Sequence, residues 1–299
     1  MAAKSLGQET LVLEIGASRC EIRPQIGGSI AAWTVQGQSL LRSATASSLA
    51  AADPFGMATF PLVPYSNRIA NGTFIWDHKA IRLTRNFPPE PHSIHGVGFK
   101  RAWRVLDSGP DSALLQLVHK ADASWPFAFE ARQRIVVTAT SLSLELSAVN
   151  LAGHLAPLAF GHHPYIPWQD AQLQFRAQRV WLVDDEGLPT LSARPFGKFD
   201  YSEPMPVSRG NIDHCYSGWD GNARVSWPGK KWALSLHATE GLRHAVVCIR
   251  AEQEMLCFEP VPHMNNAINR RETANAMPQL ATGASIRASI VFTAQQSPL

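Results

Sequence analysis

Apolar and polar residues alternate with a period of two along most of this chain. The cleanest run is Ser141-Leu142-Ser143-Leu144-Glu145-Leu146-Ser147, with three leucines on one face and small polar or charged groups on the other. Successive strand side chains point to opposite faces, so such a run reads as a strand buried on one side. The same pattern recurs at residues 11–15, 134–138, 232–237, 245–249 and 285–292. Turn-forming pairs separate the runs, among them Gly27-Gly28, Asn71-Gly72, Asp220-Gly221 and Pro228-Gly229,. Helical periodicity is confined to one short candidate at residues 43–52. Many strands joined by tight turns predict an all-β protein of stacked antiparallel sheets. No Gly/Ser-rich seam, low-complexity tract or fixed repeat divides it, so residues 1–299 are expected to form a single domain,.

Composition narrows the function classes. With 45% hydrophobic and 17% charged residues, the 299-residue chain has the make-up of a compact globular protein,. A net charge of +3 without a Lys/Arg block gives nucleic acid no footing,. No run approaches the ~18–20 apolar residues of a membrane span, and the first residues lack a basic-then-apolar leader. Cys20, Cys215, Cys248 and Cys257 show no CxxC spacing, and two lie inside strand-like apolar runs. They read as reduced, buried thiols, and a cytoplasmic location is the expectation. The nine tryptophans suit core packing before ligand stacking,.

The candidate chemistry begins at Gly161-His162-His163-Pro164-Tyr165, where a permissive glycine and a φ-fixing proline frame two histidines,. Histidine gives and takes protons near neutral pH. Four other segments stand out: Pro64-Tyr65-Ser66-Asn67-Arg68-Ile69 running into Asn71-Gly72-Thr73-Phe74, then His92-Ser93-Ile94-His95-Gly96, Asp213-His214, and Phe258-Glu259-Pro260. The stretches 88–98 and 260–279 are long for hairpins, and long ordered loops on a β scaffold tend to carry function.

Taken together and in this order, these segments resemble the aldose 1-epimerase (mutarotase) family. That family has Asn-Arg-Ile ahead of a Gly-x-Phe turn, Leu-His-Gly, Gly-x-His-Pro-Tyr, Asp-His and a late Glu-Pro. The resemblance implies a galactose mutarotase-like β-supersandwich and cofactor-free interconversion of the α and β anomers of a free aldose. Opening the ring needs a base for the C1 hydroxyl proton and an acid for the ring oxygen, and reclosure reverses their roles.

Residue by residue, the resemblance makes Glu259 the general base, His163 the general acid and His95 a second catalytic histidine near the reacting carbon. Arg68 and Asp213 become contacts to sugar hydroxyls, with Asn67 beside them. Alternation sets Glu259 on the face of Met255 and Cys257, where apolar neighbours raise a carboxyl's pKa. It also sends His162 and His163 to opposite faces, which makes His162 an orienting or structural neighbour. His92 is expected at the surface, and His214 carries no assigned role. Two segments depart from the family: Ile166-Pro167-Trp168, and Val261-Pro262-His263-Met264-Asn265-Asn266. Trp168 and His263 are therefore candidates for shaping the substrate pocket.

Other chemistries have less support. A zinc hydrolase needs converging ligands, which adjacent strand histidines are not, and no metal is expected. A serine hydrolase lacks its G-x-S-x-G elbow. Within the same fold, a hexose-phosphate epimerase needs cations converging on phosphate, for which Arg82, Arg85, Lys100 and Arg101 are available. A non-catalytic carbohydrate-binding protein has no need of both Glu259 and His163. The expected partner is a small sugar alone, with neither nucleic acid nor membrane. Monomer and homodimer both remain open.

Overall fold

The computed structural model describes residues 10–270 and 276–296. Nearly all regular structure is β, and the helix expected at 43–52 is a single short one, Ala46–Ala50. Thr45 caps it, its hydroxyl accepting the Ser48 N–H at 3.1 Å,. Among the described residues no helix is long and apolar enough to cross a membrane.

Two large antiparallel sheets dominate. The nine-stranded sheet has the spatial order Arg104–Ser108, Ser112–His119, Phe129–Val137, Ser141–Asn150, Ser285–Gln296, Trp232–Ala238, Asn222–Ser226, Gln172–Phe175 and Met205–Pro206. Its Ser141–Asn150 strand keeps strict alternation, buried leucines on one face and half-exposed polar groups on the other. One face of this sheet therefore packs inward while the other meets solvent. The six-stranded sheet runs Tyr165–Ile166, Met255–Val261, His244–Arg250, Ile212–Ser217, Arg179–Val183 and Pro189–Ala193. A four-stranded sheet, Leu11–Ile15 through Gln38–Ser39, completes the N-terminal part.

The central strands of the six-stranded sheet are buried on both faces. On one face Phe258 meets Phe175 of the nine-stranded sheet at 5.1 Å between ring centroids, and Trp219 at 5.2 Å. Alternation then turns Met255, Cys257 and Glu259 to the opposite face. That face is what positions the site.

Candidate active site

Strand register assembles the floor of the site. Tyr165 pairs with Cys257, Cys257 with Cys248, and Cys248 with Asp213, so four residues form one row across four neighbouring strands. Directly paired residues share a face. With strands about 4.8 Å apart, the row carries Asp213 some 14 Å from Tyr165. One step along, Arg250 pairs with Met255, and two residues past Cys257 comes Glu259. A cavity of about 590 Å³ opens over this face, lined by Tyr165, Cys248, Arg250, Met255, Asp213 and Glu259 together with His95 and His163.

Glu259, His163 and His95 converge in it. Oε1 of Glu259 lies 3.3 Å from Nε2 of His163. The His163 ring stacks on Phe60 with centroids 4.7 Å apart and meets His95 edge-on at 5.1 Å. His163 is aimed by its backbone: its N–H donates to the Phe60 carbonyl, and two residues on the Tyr165 N–H donates to Ala58. All three functional groups are buried.

Burial sets their charges. Loss of water drives the Glu259 carboxyl well above the usual carboxylate range, Asp213 adding to the rise and Arg68 opposing it. The same desolvation, with Arg42 nearby, pushes His163 down to about 3. Both shifts favour a neutral pair, Glu259 protonated and His163 not. The carboxylate and imidazolium expected of a base and an acid are thus the ionised tautomer of this pair, one proton transfer away across 3.3 Å.

His95 is fixed in one form. Asn67 and His95 both have left-handed backbones, φ 54° and 59°. The Asn67 N–H donates to His95 Nδ1 at 3.1 Å, and the His95 N–H returns a bond to the Asn67 carbonyl at 3.0 Å. A neutral imidazole that accepts at Nδ1 must carry its proton on Nε2. Burial, His163 and Arg68 hold His95 well below its usual pKa, so it is a neutral N–H donor. The same bond bears on metal binding. One ligand atom each from His95, His163 and Glu259 lie within 4.8 Å of one another, a spacing compatible with a cation. With Nδ1 engaged by an amide proton, Nε2 of His95 has no lone pair to give, and the donor set does not suit a metal.

The far wall is ionic. Asp213 Oδ2 accepts from Arg250 at 3.1 Å and from Arg68 at 3.5 Å, while Arg68 also donates to Glu90 at 2.9 Å. Asn67 stands behind it, its Oδ1 accepting the Arg68 N–H at 2.9 Å. Asn67 thus serves the site through its backbone and holds Arg68 with its side chain.

A family model for aldose 1-epimerases matches residues 9–293. The chain belongs to the aldose 1-epimerase family. It is 25% identical over 269 residues to the uncharacterized Escherichia coli (strain K12) protein YphB, covering 87% of this chain and 90% of that one. A candidate aldose 1-epimerase from Escherichia coli K12 has the same fold, with a TM-score of 0.89 at 24% identity over 97% of this chain and 100% of that chain. A galactose mutarotase-like protein from Clostridium acetobutylicum superposes with a TM-score of 0.85 at 19% identity, covering 96% of this chain and 95% of that one.

Among the family's motif positions, Glu259, His163, His95, Asn67, Arg68 and Asp213 all line this one cavity. Several sequence expectations need correction. His92 is fully buried, because its Nδ1 accepts the N–H of Asn71 at 3.0 Å. Neither Trp168 nor His263 lines the cavity. Trp168 packs against the apolar core, and His263 is a buried structural residue bonded to the Met264 carbonyl at 2.8 Å and the Ser66 N–H at 3.4 Å. Of the long stretch at 260–279 expected to carry function, residues 271–275 lie outside the described residues, and Asn266 sits behind the site: it donates its N–H to the Arg68 carbonyl and accepts from the Ala70 N–H. Arg82, Arg85, Lys100 and Arg101 are not in the cavity lining. Lys100 donates to the Asn86 carbonyl, and Arg101 pairs with Asp122 at 2.6 Å. The cavity's cations are Arg42, Arg68 and Arg250, two of which sequence reasoning missed. Arg250 closes an apolar strand run, a detectable signal; Arg42 has none.

Proposed function

We propose that this protein is an aldose 1-epimerase that interconverts the α and β anomers of a free aldose. The observation that carries the proposal is the buried Glu259–His163 pair, 3.3 Å apart and open to the same cavity as His95, Arg68 and Asp213. In the ionised tautomer, Glu259 takes the proton of the C1 hydroxyl and His163 gives one to the ring oxygen. The ring opens, leaving Glu259 protonated and His163 neutral. Rotation about C1–C2 presents the other aldehyde face, and the two protons return as the ring closes. The open-chain stage therefore coincides with the charge state that burial favours, and each ring opening or closure begins from the ionised tautomer or returns to it. His95 donates Nε2–H to an oxygen near C1, and Arg68 and Asp213 hold hydroxyls farther round the ring.

A neutral aldose fits better than a sugar phosphate. Arg250 is committed to Asp213, and Arg68 to both Asp213 and Glu90. Arg42 donates to the Phe55 and Met57 carbonyls and lies over the Tyr165 ring at 3.7 Å. Among the described residues no cluster of uncommitted cations converges on one point for a phosphate dianion,. Exchange spectroscopy on the anomeric protons of glucose, galactose and glucose 6-phosphate tests this reading. Accelerated exchange in a neutral sugar supports it; acceleration of the phosphate alone contradicts it.

A further inference from the structure

The ionic wall Arg68–Asp213–Arg250 has a cavity on each side. Beyond it lies a second hollow of about 510 Å³ that shares those three residues with the first. Both volumes fall in the ~300–1,000 Å³ range of small-molecule sites, and one pyranose ring does not fill the pair. The second hollow is built of hydrogen-bonding side chains over a few apolar ones: Asp184, Asp185, Glu186, Asn211 and His214 beside Pro91 and Ile212. Such a mixture suits a sugar, whose hydroxyls need planar polar partners and whose C–H faces need apolar ones.

Three of these groups, Asp184, Asn211 and His214, are held in place before any ligand arrives. Asp184 Oδ1 accepts the N–H groups of Glu186 and Leu188 at 3.0 and 2.9 Å, closing the turn of residues 184–188. That turn packs on the wall: a Cβ added to Gly187, whose φ is +75°, would stand 2.9 Å from Cζ of Arg68. Asn211 accepts the Ala251 N–H at 2.9 Å and donates to Glu252 at 3.0 Å. His214 Nδ1 lies 3.1 Å from the Trp181 carbonyl and donates to it, which leaves Nε2 as an acceptor,.

Charge limits what can sit there. Five carboxylates (Glu90, Asp184, Asp185, Glu186 and Asp213) face two guanidiniums, Arg68 and Arg250. A phosphate or carboxylate substituent is repelled, whereas a neutral polyhydroxyl group is not.

We infer that the second hollow is a saccharide subsite, and that the preferred substrate is a neutral reducing disaccharide. Its reducing ring lies over Glu259 and His163, and its second ring, joined through a hydroxyl remote from C1, crosses the Arg68–Asp213–Arg250 wall. This rests on the reading of the first cavity as the site of anomer interconversion.

Calorimetric titration with glucose, galactose and 1,4- and 1,6-linked reducing disaccharides (maltose, cellobiose, lactose, melibiose) tests it. At least one disaccharide binds ten-fold or more tightly than its reducing monosaccharide. Asp185→Trp, which fills the hollow from an exposed turn, removes most of that gain, as does Asn211→Tyr. Equal affinities for disaccharides and monosaccharides overturn the subsite, and so does a gain that neither substitution diminishes. Polarimetry on the same sugars separates this from the proposed activity. A disaccharide gain without turnover keeps the subsite and removes the epimerase; turnover of monosaccharides without a gain does the reverse.

Discussion

Replacing the Glu259 carboxyl by an amide of the same shape should make the protein more stable while it loses activity. The carboxyl is buried and its pKa stands well above the usual range, chiefly through desolvation. In the unfolded chain it ionises at about 4.3. Between that pH and its folded pKa, the native state holds a proton that the unfolded state has released. Stability therefore falls as pH rises through this window. At about 1.4 kcal/mol per pH unit, the penalty at pH 7 is bounded at roughly 4 kcal/mol, because neutrality lies about 2.7 units above the unfolded value. Water penetration and relaxation reduce that bound, and a gain of about 0.5–2 kcal/mol, the usual size of a single stabilising substitution, is expected. The amide carries no such proton, and its NH₂ can still donate to His163 Nε2. Glu259→Gln should then raise Tm by a few degrees at pH 7.5, at about 2–4 °C per kcal/mol for a chain of this order of size. The gap should narrow steadily toward pH 5, where the unfolded carboxyl also regains its proton. Differential scanning calorimetry of both proteins from pH 8 to 5 measures it. A variant less stable than wild type at pH 7.5, or a gap independent of pH, would refute the account of a buried neutral carboxyl.

Two more outcomes follow from the same geometry. Asp213→Asn removes a charge-assisted acceptor for sugar hydroxyls, worth about 1.5–3 kcal/mol, and should raise KM roughly 10- to 100-fold with a smaller change in kcat; initial-rate polarimetry over a range of sugar concentrations separates the two. Acid should unfold the protein early, since burial pushes His162 and His163 down to about 3 and His263 to about 4. Their stabilising contribution is complete above the unfolded histidine pKa of about 6.5 and is lost as pH falls toward 3–4, each by up to about 1.4 kcal/mol per pH unit. Three such groups outweigh the opposing Glu259, so Tm should drop steeply below pH 6, and His162→Leu should make the drop shallower.

The strands were legible because alternation is local. The pattern at residues 11–15 is the strand Leu11–Ile15, and the face given to Glu259 with Met255 and Cys257 is the face that lines the cavity. Register is not local. The row Tyr165–Cys257–Cys248–Asp213 depends on which strands pair, and nothing within any one strand states this. For that reason Arg250 and Cys248 went unnoticed beside Asp213. His92 was misjudged because a polar loop residue defaults to the surface, whereas here the left-handed backbone of Asn71, φ 53°, brings an amide proton to its ring. The upward push on Glu259 was legible from its apolar strand neighbours, whereas the neutral state of His163 was hidden: residue type suggests an imidazolium, and only the depth of the cavity shows that burial favours the neutral form.

The most direct test of the central claim is polarimetry of freshly dissolved α-D-glucose, α-D-galactose and a reducing disaccharide with wild type, Glu259→Gln and His163→Asn. The account predicts that wild type hastens the approach to equilibrium rotation for at least one of these sugars. Each substitution should lower that acceleration by about 10²–10⁴, the usual contribution of a positioned general acid or base. Rotation that relaxes no faster with wild type than in buffer alone, or variants as active as wild type, would contradict the assignment of ring opening to the Glu259–His163 pair.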